Sequence, residues 1–192
     1  MYALLKNHIA KHINLSEVEM EQFCQLFTPK QVKKKAFLLR QGEICKHENF
    51  VVKGLFKMYY LDKEGHETIL YFAAEDWWVS DLDSFVNEKP SELYIEALED
   101  SEVLQISKTD KDWAYENIPQ IEKFIRIISI RGYINLQKRM FENLSKTADQ
   151  RYLDFIKKYP HIAQRLSNVQ LAKYLGITHE FLSKIRRKVV GK

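Results

Sequence analysis

The sequence predicts an α+β fold in three consecutive parts: an N-terminal antiparallel β-roll with flanking helices, one long helix, and two short C-terminal helices. Residues 35–107 contain short β-rich runs, separated by turn residues about every 8–12 positions, which is typical of a roll or barrel. Residues 118–144 then carry apolar side chains at helical spacing. Residues 166–190 show the same spacing in two shorter stretches on either side of Gly176.

The first residues of the chain favour two helices. Leu5 and Ile9 lie at helical spacing in the first of them. Ser16, followed three residues later by Glu19, has the capping-box pattern that opens the second helix. Pro29 is expected to end that helix, because proline cannot continue the backbone hydrogen-bond ladder.

Seven β-rich runs follow, and two turns containing glycine indicate how they are joined. Lys53-Gly54 predicts a tight reversal, and residues 62–65 predict a hairpin turn. Several short antiparallel runs of this kind favour a double-stranded β-helix, also called a jelly roll. The runs are residues 37–39, 50–52, 55–61, 67–72, 77–79, 94–98 and 103–106.

Residues 118–144 predict a helix about 40 Å long, at roughly 1.5 Å per residue. Its apolar stripe is wide and sustained, so a small roll is not expected to cover all of it. We therefore predict a dimerisation helix that pairs with its copy in a homodimer. A long helix packed wholly within one chain is the alternative. A further helix is expected at residues 148–158.

Residues 166–190 predict a helix-turn-helix. Ser167 with Gln170 forms a capping box for the first helix, and Thr178 can cap the second. Two short helices joined by a turn with glycine, here Gly176, are the signature of this motif. Apolar or small residues form the two inner faces, namely Leu171, Ala172, Leu175, Leu182, Ile185 and Val189.

The outward face of the second helix carries short or charged hydrogen-bonding side chains. Glu180 can accept from a cytosine amino group, and Lys184 can donate to guanine. We therefore predict that this helix binds double-stranded DNA; a solvated basic helix is the alternative. The predicted DNA-binding residues are His179, Glu180, Ser183, Lys184, Arg187 and Lys188, of which the last two suit phosphates.

The charge distribution agrees with a polyanionic partner. Residues 1–119 contain 14 Lys and Arg against 21 Asp and Glu, whereas residues 120–192 contain 16 against 5. No apolar run approaches the ~20 residues of a membrane span, and the N-terminus lacks a signal-peptide core. We expect a cytoplasmic protein with no membrane partner and with reduced thiols at Cys24 and Cys45.

In these features the sequence resembles the Crp–Fnr family of bacterial transcription regulators. The resemblance covers most of the chain and includes "FVVKG" at residues 50–54, "DKEGHETILYF" at residues 62–72 and "EDWWVSDLDSF" at residues 75–85. It implies a sensor domain at residues 1–116, a dimerisation helix at 117–146 and a helix-turn-helix domain at 147–192. It also implies a palindromic operator, a small-molecule effector, and RNA polymerase as a candidate partner.

Two departures from the family pattern qualify this resemblance. Cyclic-nucleotide binders of the family carry Gly-Glu and Arg-Ser pairs, which align here with Ser80-Asp81 and Ser91-Glu92. Without the arginine a cyclic phosphate lacks its bidentate partner, and it would also meet like charges from six carboxylates between residues 80 and 99. We therefore expect no tight binding of cyclic AMP. The family's β-hairpin wing is expected to be short or absent, because the sequence ends at Lys192.

The effector pocket is predicted only loosely, at Tyr71, Ser80, Asp81, Ser91 and Glu92. Trp77 and Trp78 could line an apolar pocket, but roll core and packing is the preferred interpretation. His8 and His12 are four residues apart without the glutamate of a zinc protease, and His47 and His66 are too isolated for a cupin-like metal enzyme. We expect no metal, no cofactor and no enzymatic activity.

Overall fold

The computed structural model describes residues 1–190 and divides into two compact units. The first unit consists of residues 1–58 and 72–131, and the second begins with residues 59–71 and continues from residue 132. The predicted shortening of the wing concerns residues after Val190, which lie outside the described residues. None of the described helices is both long and apolar enough to cross a bilayer.

The α+β class and the antiparallel roll are confirmed. The helices are α1 Ala3–Ala10, α2 Glu17–Gln25, α3 Leu82–Asn87, α4 Lys108–Asn117, α5 Pro119–Ser145, α6 Ala148–Lys158, α7 Pro160–Ala163, α8 Asn168–Leu175 and α9 His179–Val190. The strands are β1 Thr28–Val32, β2 Phe37–Leu39, β3 His47–Lys53, β4 Phe56–Leu61, β5 Glu67–Ala73, β6 Trp78–Val79, β7 Tyr94–Ala97 and β8 Ser101–Ser107.

Within the described residues the strands form two four-stranded sheets. Their orders are β1-β8-β3-β6 and β2-β7-β4-β5. The reversal between β3 and β4 requires Gly54, whose φ is +107°. A Cβ atom at this position would overlap Ser101, whose Cα would lie only 2.8 Å away. The glycine turn predicted from the sequence is therefore fixed both by backbone conformation and by close approach of β8.

The core of the first unit joins the N-terminal helices to the roll and to the start of α5. Leu5 and Ile9 of α1 are fully buried, as are Phe50 of β3 and Phe124 of α5. The rings of His8 and Phe124 meet edge to face at 5.8 Å. Only Ile121 and Phe124 are buried along α5, so this helix is anchored at its N-terminal end.

From Ile130 onward, α5 keeps its apolar side chains exposed. They recur at helical spacing and include some of the most exposed large apolar residues of the chain: Ile130, Tyr133, Ile134, Leu136, Met140, Phe141 and Leu144. Leu144 has 80% of its surface exposed. A run of this size is unusual for an isolated soluble chain, because contiguous apolar surface costs free energy in water.

Some described elements are absent from the sequence predictions. β1 is polar, contains Pro29 and is mostly exposed, which is possible because it lies at the edge of its sheet. α3 has six residues and α7 has four, which is too short for a helical period to be recognised. The helices predicted at residues 118–144 and 148–158 are present with nearly the same bounds.

Candidate functional site

Two capped helices, α8 and α9, are joined by a glycine turn in the second unit, at the residues where the sequence predicts a helix-turn-helix. The Ser167 hydroxyl accepts from the backbone N–H of Gln170 at 3.2 Å, and the Gln170 side chain returns a bond to the Ser167 N–H at 2.8 Å. Gly176 ends α8 in the left-handed conformation, with φ of +66°. Thr178 then accepts from the backbone N–H of Phe181 at 3.2 Å and so caps α9.

Burial of the predicted inner faces fixes the rotation of both helices. Leu171, Ala172 and Leu175 are buried along α8, and Leu182 and Ile185 are buried along α9. The predicted inner-face side chain of Val189 lies outside the described part of the structure. Since consecutive helical residues are about 100° apart, the positions around residues 180, 183, 184 and 187 must face away from this core.

The structure leaves most of the predicted DNA-binding residues exposed on α9. His179, Glu180, Lys184 and Arg187 are exposed, and Ser183 is half-buried, with its hydroxyl donating to the His179 carbonyl at 3.0 Å. The Glu180 carboxylate accepts from its own backbone N–H and from the Thr178 hydroxyl, and both bonds lower the pKa of Glu180 below its usual value. Glu180 is therefore ionised and remains an acceptor at neutral pH.

Two further cations of α9 have partners within their own unit. Lys188 forms an ion pair of 3.1 Å with Asp149 in the first turn of α6. Arg186 donates to the side-chain oxygen of Asn168 at the start of α8. Either side chain would have to leave its partner to reach a phosphate, whereas Lys184 has no hydrogen bond or ion pair to any described residue.

Both oxygens of the Asp81 side chain accept hydrogen bonds within the first unit. One oxygen caps α3 by accepting from the backbone N–H groups of Asp83 and Ser84 at 3.2 and 3.4 Å. The other accepts from the Ser91 hydroxyl at 2.6 Å, and only 8% of Asp81 is exposed. Asp81, which the resemblance aligns with the glutamate of the Gly-Glu pair, is thus a helix cap here.

The structure brings together only part of the predicted effector pocket. Asp81 and Ser91 are bonded, and Ser80 precedes Asp81 with a half-buried side chain. Glu92 is exposed, and Tyr71 belongs to the other compact unit, in β5. The capping role of Asp81 has a local signal in the sequence, because aspartate is a preferred N-cap and the acidic Asp83 follows in the first turn.

The expected repulsion of phosphate by carboxylates is weaker than the sequence indicates. Asp83 pairs with Lys89 at 2.6 Å, and Lys89 and Asn87 lower the pKa of that carboxyl. Glu88 pairs with Lys108 at 2.9 Å, and Glu96 pairs with the buried Lys57 at 3.1 Å. Two of these three lysines lie outside residues 80–99, so the charges within that segment alone do not include them.

A polar cleft of about 460 Å³ opens elsewhere in the first unit, between β1, β2 and β3. Its lining includes the buried amides of Asn49 and Gln105, joined by a hydrogen bond of 2.7 Å. His47 also lines the cleft, and burial followed by the charge of Lys30 lowers the pKa of its imidazole. None of the predicted pocket residues lines this cleft.

Two histidines with metal-ligand chemistry already have protein partners. His8 contacts the Asp76 carboxylate at 2.8 Å, and His12 contacts Arg131 at 3.1 Å. Asp62, Glu64 and His66 lie close together in the β4–β5 turn, where all three are exposed. An exposed acidic turn of this kind is common without a metal. Cys24 and Cys45 are free and buried, and burial raises the pKa of both thiols.

Sequence and structure comparisons relate this arrangement to known proteins. Residues 29–116 match the family model of the cyclic nucleotide-binding domain. No curated protein sequence matches the chain. The chain resembles FixK2 from Bradyrhizobium japonicum, with 19% identity, a TM-score of 0.76 and coverage of 86% of this chain and 85% of that one.

Two other solved structures give the same result. One is CLP from Xanthomonas campestris, described as a c-di-GMP responsive global regulator, with 15% identity, 92% of each chain covered and a TM-score of 0.74. The other is a Crp/Fnr-family regulator from Eubacterium rectale, with 18% identity, a TM-score of 0.70 and coverage of 91% of this chain and 83% of that one. The chain therefore has the fold of the Crp/Fnr regulators.

Proposed function

We propose that this protein is a homodimeric, sequence-specific DNA-binding transcription regulator. The observation that carries the proposal is the arrangement of α8 and α9. The core residues fix the rotation of α9, and the polar side chains opposite that core are free to enter a major groove. As a regulator, the protein would act in the cytoplasm and would have no enzymatic activity.

Base reading is assigned to the outward side chains of α9. Glu180 is an ionised acceptor suited to the cytosine amino group, and Lys184 is a donor suited to guanine. The Ser183 hydroxyl gives its proton to the helix backbone, so its oxygen remains as an acceptor, and His179 lies at the exposed start of the helix. Arg187 and Lys188 are assigned to phosphates, where they add affinity without sequence information.

The exposed apolar side of α5 supports the homodimer. Two copies of this helix packed side by side would remove that surface from water, and the two α9 helices would then read a palindromic site. The spacing between half-sites follows from the dimer geometry.

The roll is proposed to sense an effector other than cyclic AMP or to contact a protein such as RNA polymerase. The aligned cassette positions, Ser91 and Glu92, contain no arginine to bind a cyclic phosphate. The Asp81 carboxylate is already bound to the α3 backbone and to Ser91. Calorimetric titration of the purified chain with cyclic AMP and cyclic GMP should give no heat of binding. Micromolar binding of either nucleotide would overturn this part of the proposal.

Selection of genomic DNA fragments by the purified chain tests the proposed function. We expect one enriched palindrome, because sequence-specific dimers retain their own sites over a large excess of competitors. Retention of DNA without an enriched sequence would favour the alternative, a ligand-binding or protein-interaction roll with only non-specific nucleic-acid contact. Failure to retain DNA would reject both.

A further inference from the structure

One aromatic side chain is exposed among the polar residues of α9. Phe181 is the third residue of the helix, and 45% of its surface is exposed. Its neighbour Leu182 is fully buried. Because consecutive residues are about 100° apart around a helix, the burial of Leu182 holds Phe181 outside the core.

Phe181 lies beside the proposed base readers. It follows Glu180 directly, and it is three residues before Lys184, a spacing that places two side chains on the same side of a helix. Its backbone N–H is held by the Thr178 hydroxyl at 3.2 Å, which fixes the first turn and with it the direction of the Cα–Cβ bond. A helix that enters the major groove with its N-terminal residues would carry this ring into the groove.

The 5-methyl group of thymine is the largest apolar group that the major groove offers to an aromatic ring. The C5–H of cytosine is smaller, the hydrogen-bonding groups of the base edges are polar, and the phosphates are charged. Contact with the methyl group therefore compensates best for removing a phenyl ring from water. Single exposed apolar residues are common on protein surfaces, and what distinguishes Phe181 is its position on this helix.

We infer that Phe181 is a specificity-determining residue that packs against a thymine methyl group in each half-site. The inference rests on the proposed function, since it requires α9 to lie in the major groove. It adds an apolar contact to a surface that the residue pattern describes as purely polar, and it predicts that the operator contains a thymine at one position next to the base pairs read by Glu180 and Lys184.

Replacing thymine with deoxyuridine tests this contact, because the substitution removes only the methyl group. The full chain would be titrated against the selected duplex with each thymine of one half-site replaced in turn. We expect about fourfold weaker binding at one position, the effect of burying one methyl group. Phe181→Ala should bind the thymine and deoxyuridine duplexes equally at that position, whereas Phe181→Leu should keep part of the difference.

Val169→Ala is the matched control, because Val169 is an exposed apolar residue of α8. It should keep the full dependence on the methyl group. The inference is wrong if the wild-type chain tolerates deoxyuridine everywhere, or if Phe181→Ala still loses as much affinity as the wild type. If no sequence is selected at all, the proposed function itself fails, and this result is distinct from a selected site that shows no methyl dependence.

Discussion

The Asp81 carboxylate is held by contacts within the first unit. Its two oxygens accept three hydrogen bonds, two from the first turn of α3 and one from Ser91. A carboxylate at a helix N-terminus is stabilised by the unpaired N–H groups and by the helix dipole. Asp81 therefore supplies the negative charge that the first turn of α3 favours.

Asp81→Ala should lower the free energy of unfolding of the first unit by about 2 kcal/mol, since it removes the cap and leaves the buried Ser91 hydroxyl without its acceptor. Urea unfolding followed by tryptophan fluorescence measures this change, because Trp77, Trp78 and Trp113 all belong to the first unit. Asp83→Ala, which loses only exposed contacts, should cost less than about 1 kcal/mol. Equal stability of the two variants would contradict the capping role.

The sequence could predict the position of Asp81 but not its role. The resemblance aligns Asp81 with the glutamate of the family's Gly-Glu pair, while its local pattern also suits a helix cap. The partner that decides its role is Ser91, which lies ten residues later in the sequence, after the end of α3. A contact of this kind depends on the tertiary fold. By contrast, Ser167 and Gln170 cap α8 as predicted, because both partners lie within one turn.

At the scale of elements, Arg139 of α5 joins the β4–β5 hairpin to α8 within the second unit. Its guanidinium donates to the carbonyls of Ile69 and Tyr174 at 3.2 and 3.3 Å and lies 4.2 Å from the centre of the Tyr174 ring. Burial lowers the pKa of Arg139 from its usual value. Lys173 of α8 adds an ion pair of 3.2 Å with Glu67 of β5.

Arg139→Ala should loosen the hairpin, because two carbonyls lose a charged donor and Tyr174 loses its cation–π contact. Hydrogen exchange of the backbone amides of residues 59–71 should become at least tenfold faster, which corresponds to about 1.4 kcal/mol of local stability. Arg139→Lys should be intermediate, since lysine lacks the planar fork.

Lys173→Ala is the control for this junction. It removes a more exposed pair and should change exchange only slightly. Unchanged exchange in Arg139→Ala would show that the hairpin is held by other contacts.

The elements themselves were predictable to different degrees. Helices α5 and α6 have long apolar periods, and their bounds differ little from the prediction. Strand β1 was missed because its side chains are polar, and it is defined by main-chain pairing with β8 rather than by burial. No local pattern encodes a pairing partner more than 70 residues away, such as that between Thr28 and Gln105.

At the scale of the whole molecule, the exposed side of α5 determines the proposed assembly. Met140, Phe141 and Leu144 are each at least 66% exposed, although they lie close together on the helix. Burying one such side chain in each subunit contributes about 1.5–3 kcal/mol. Several of them provide enough apolar surface for a stable pair of helices.

Met140→Glu should therefore weaken dimerisation more than tenfold, because it exchanges an apolar contact for two like charges. Sedimentation velocity over a range of protein concentrations measures the change. Asn135→Glu adds the same charge on the opposite side of α5 and should leave the dimer intact. A monomeric wild-type chain at high micromolar concentration, or equal behaviour of the two variants, would contradict the proposed homodimer.

The charge split of the sequence belongs to this scale as well. Seven Lys and Arg against one acidic residue lie in residues 165–192, the region of the proposed helix-turn-helix. Such a region attracts any nucleic acid, so affinity alone does not establish a regulator. The informative quantity is the ratio between affinity for a selected site and affinity for unrelated DNA.

The ratio of affinities for the selected palindrome and for a scrambled duplex, measured by fluorescence anisotropy at one salt concentration, tests the central proposal most directly. The wild-type chain should prefer the palindrome by roughly 1,000-fold or more. Lys184→Ala should lose about 1–3 kcal/mol on the palindrome only, whereas Arg187→Ala should weaken binding to both duplexes. Equal affinity of the wild-type chain for the two duplexes, or equal losses for Lys184→Ala on both, would contradict sequence-specific reading by α9.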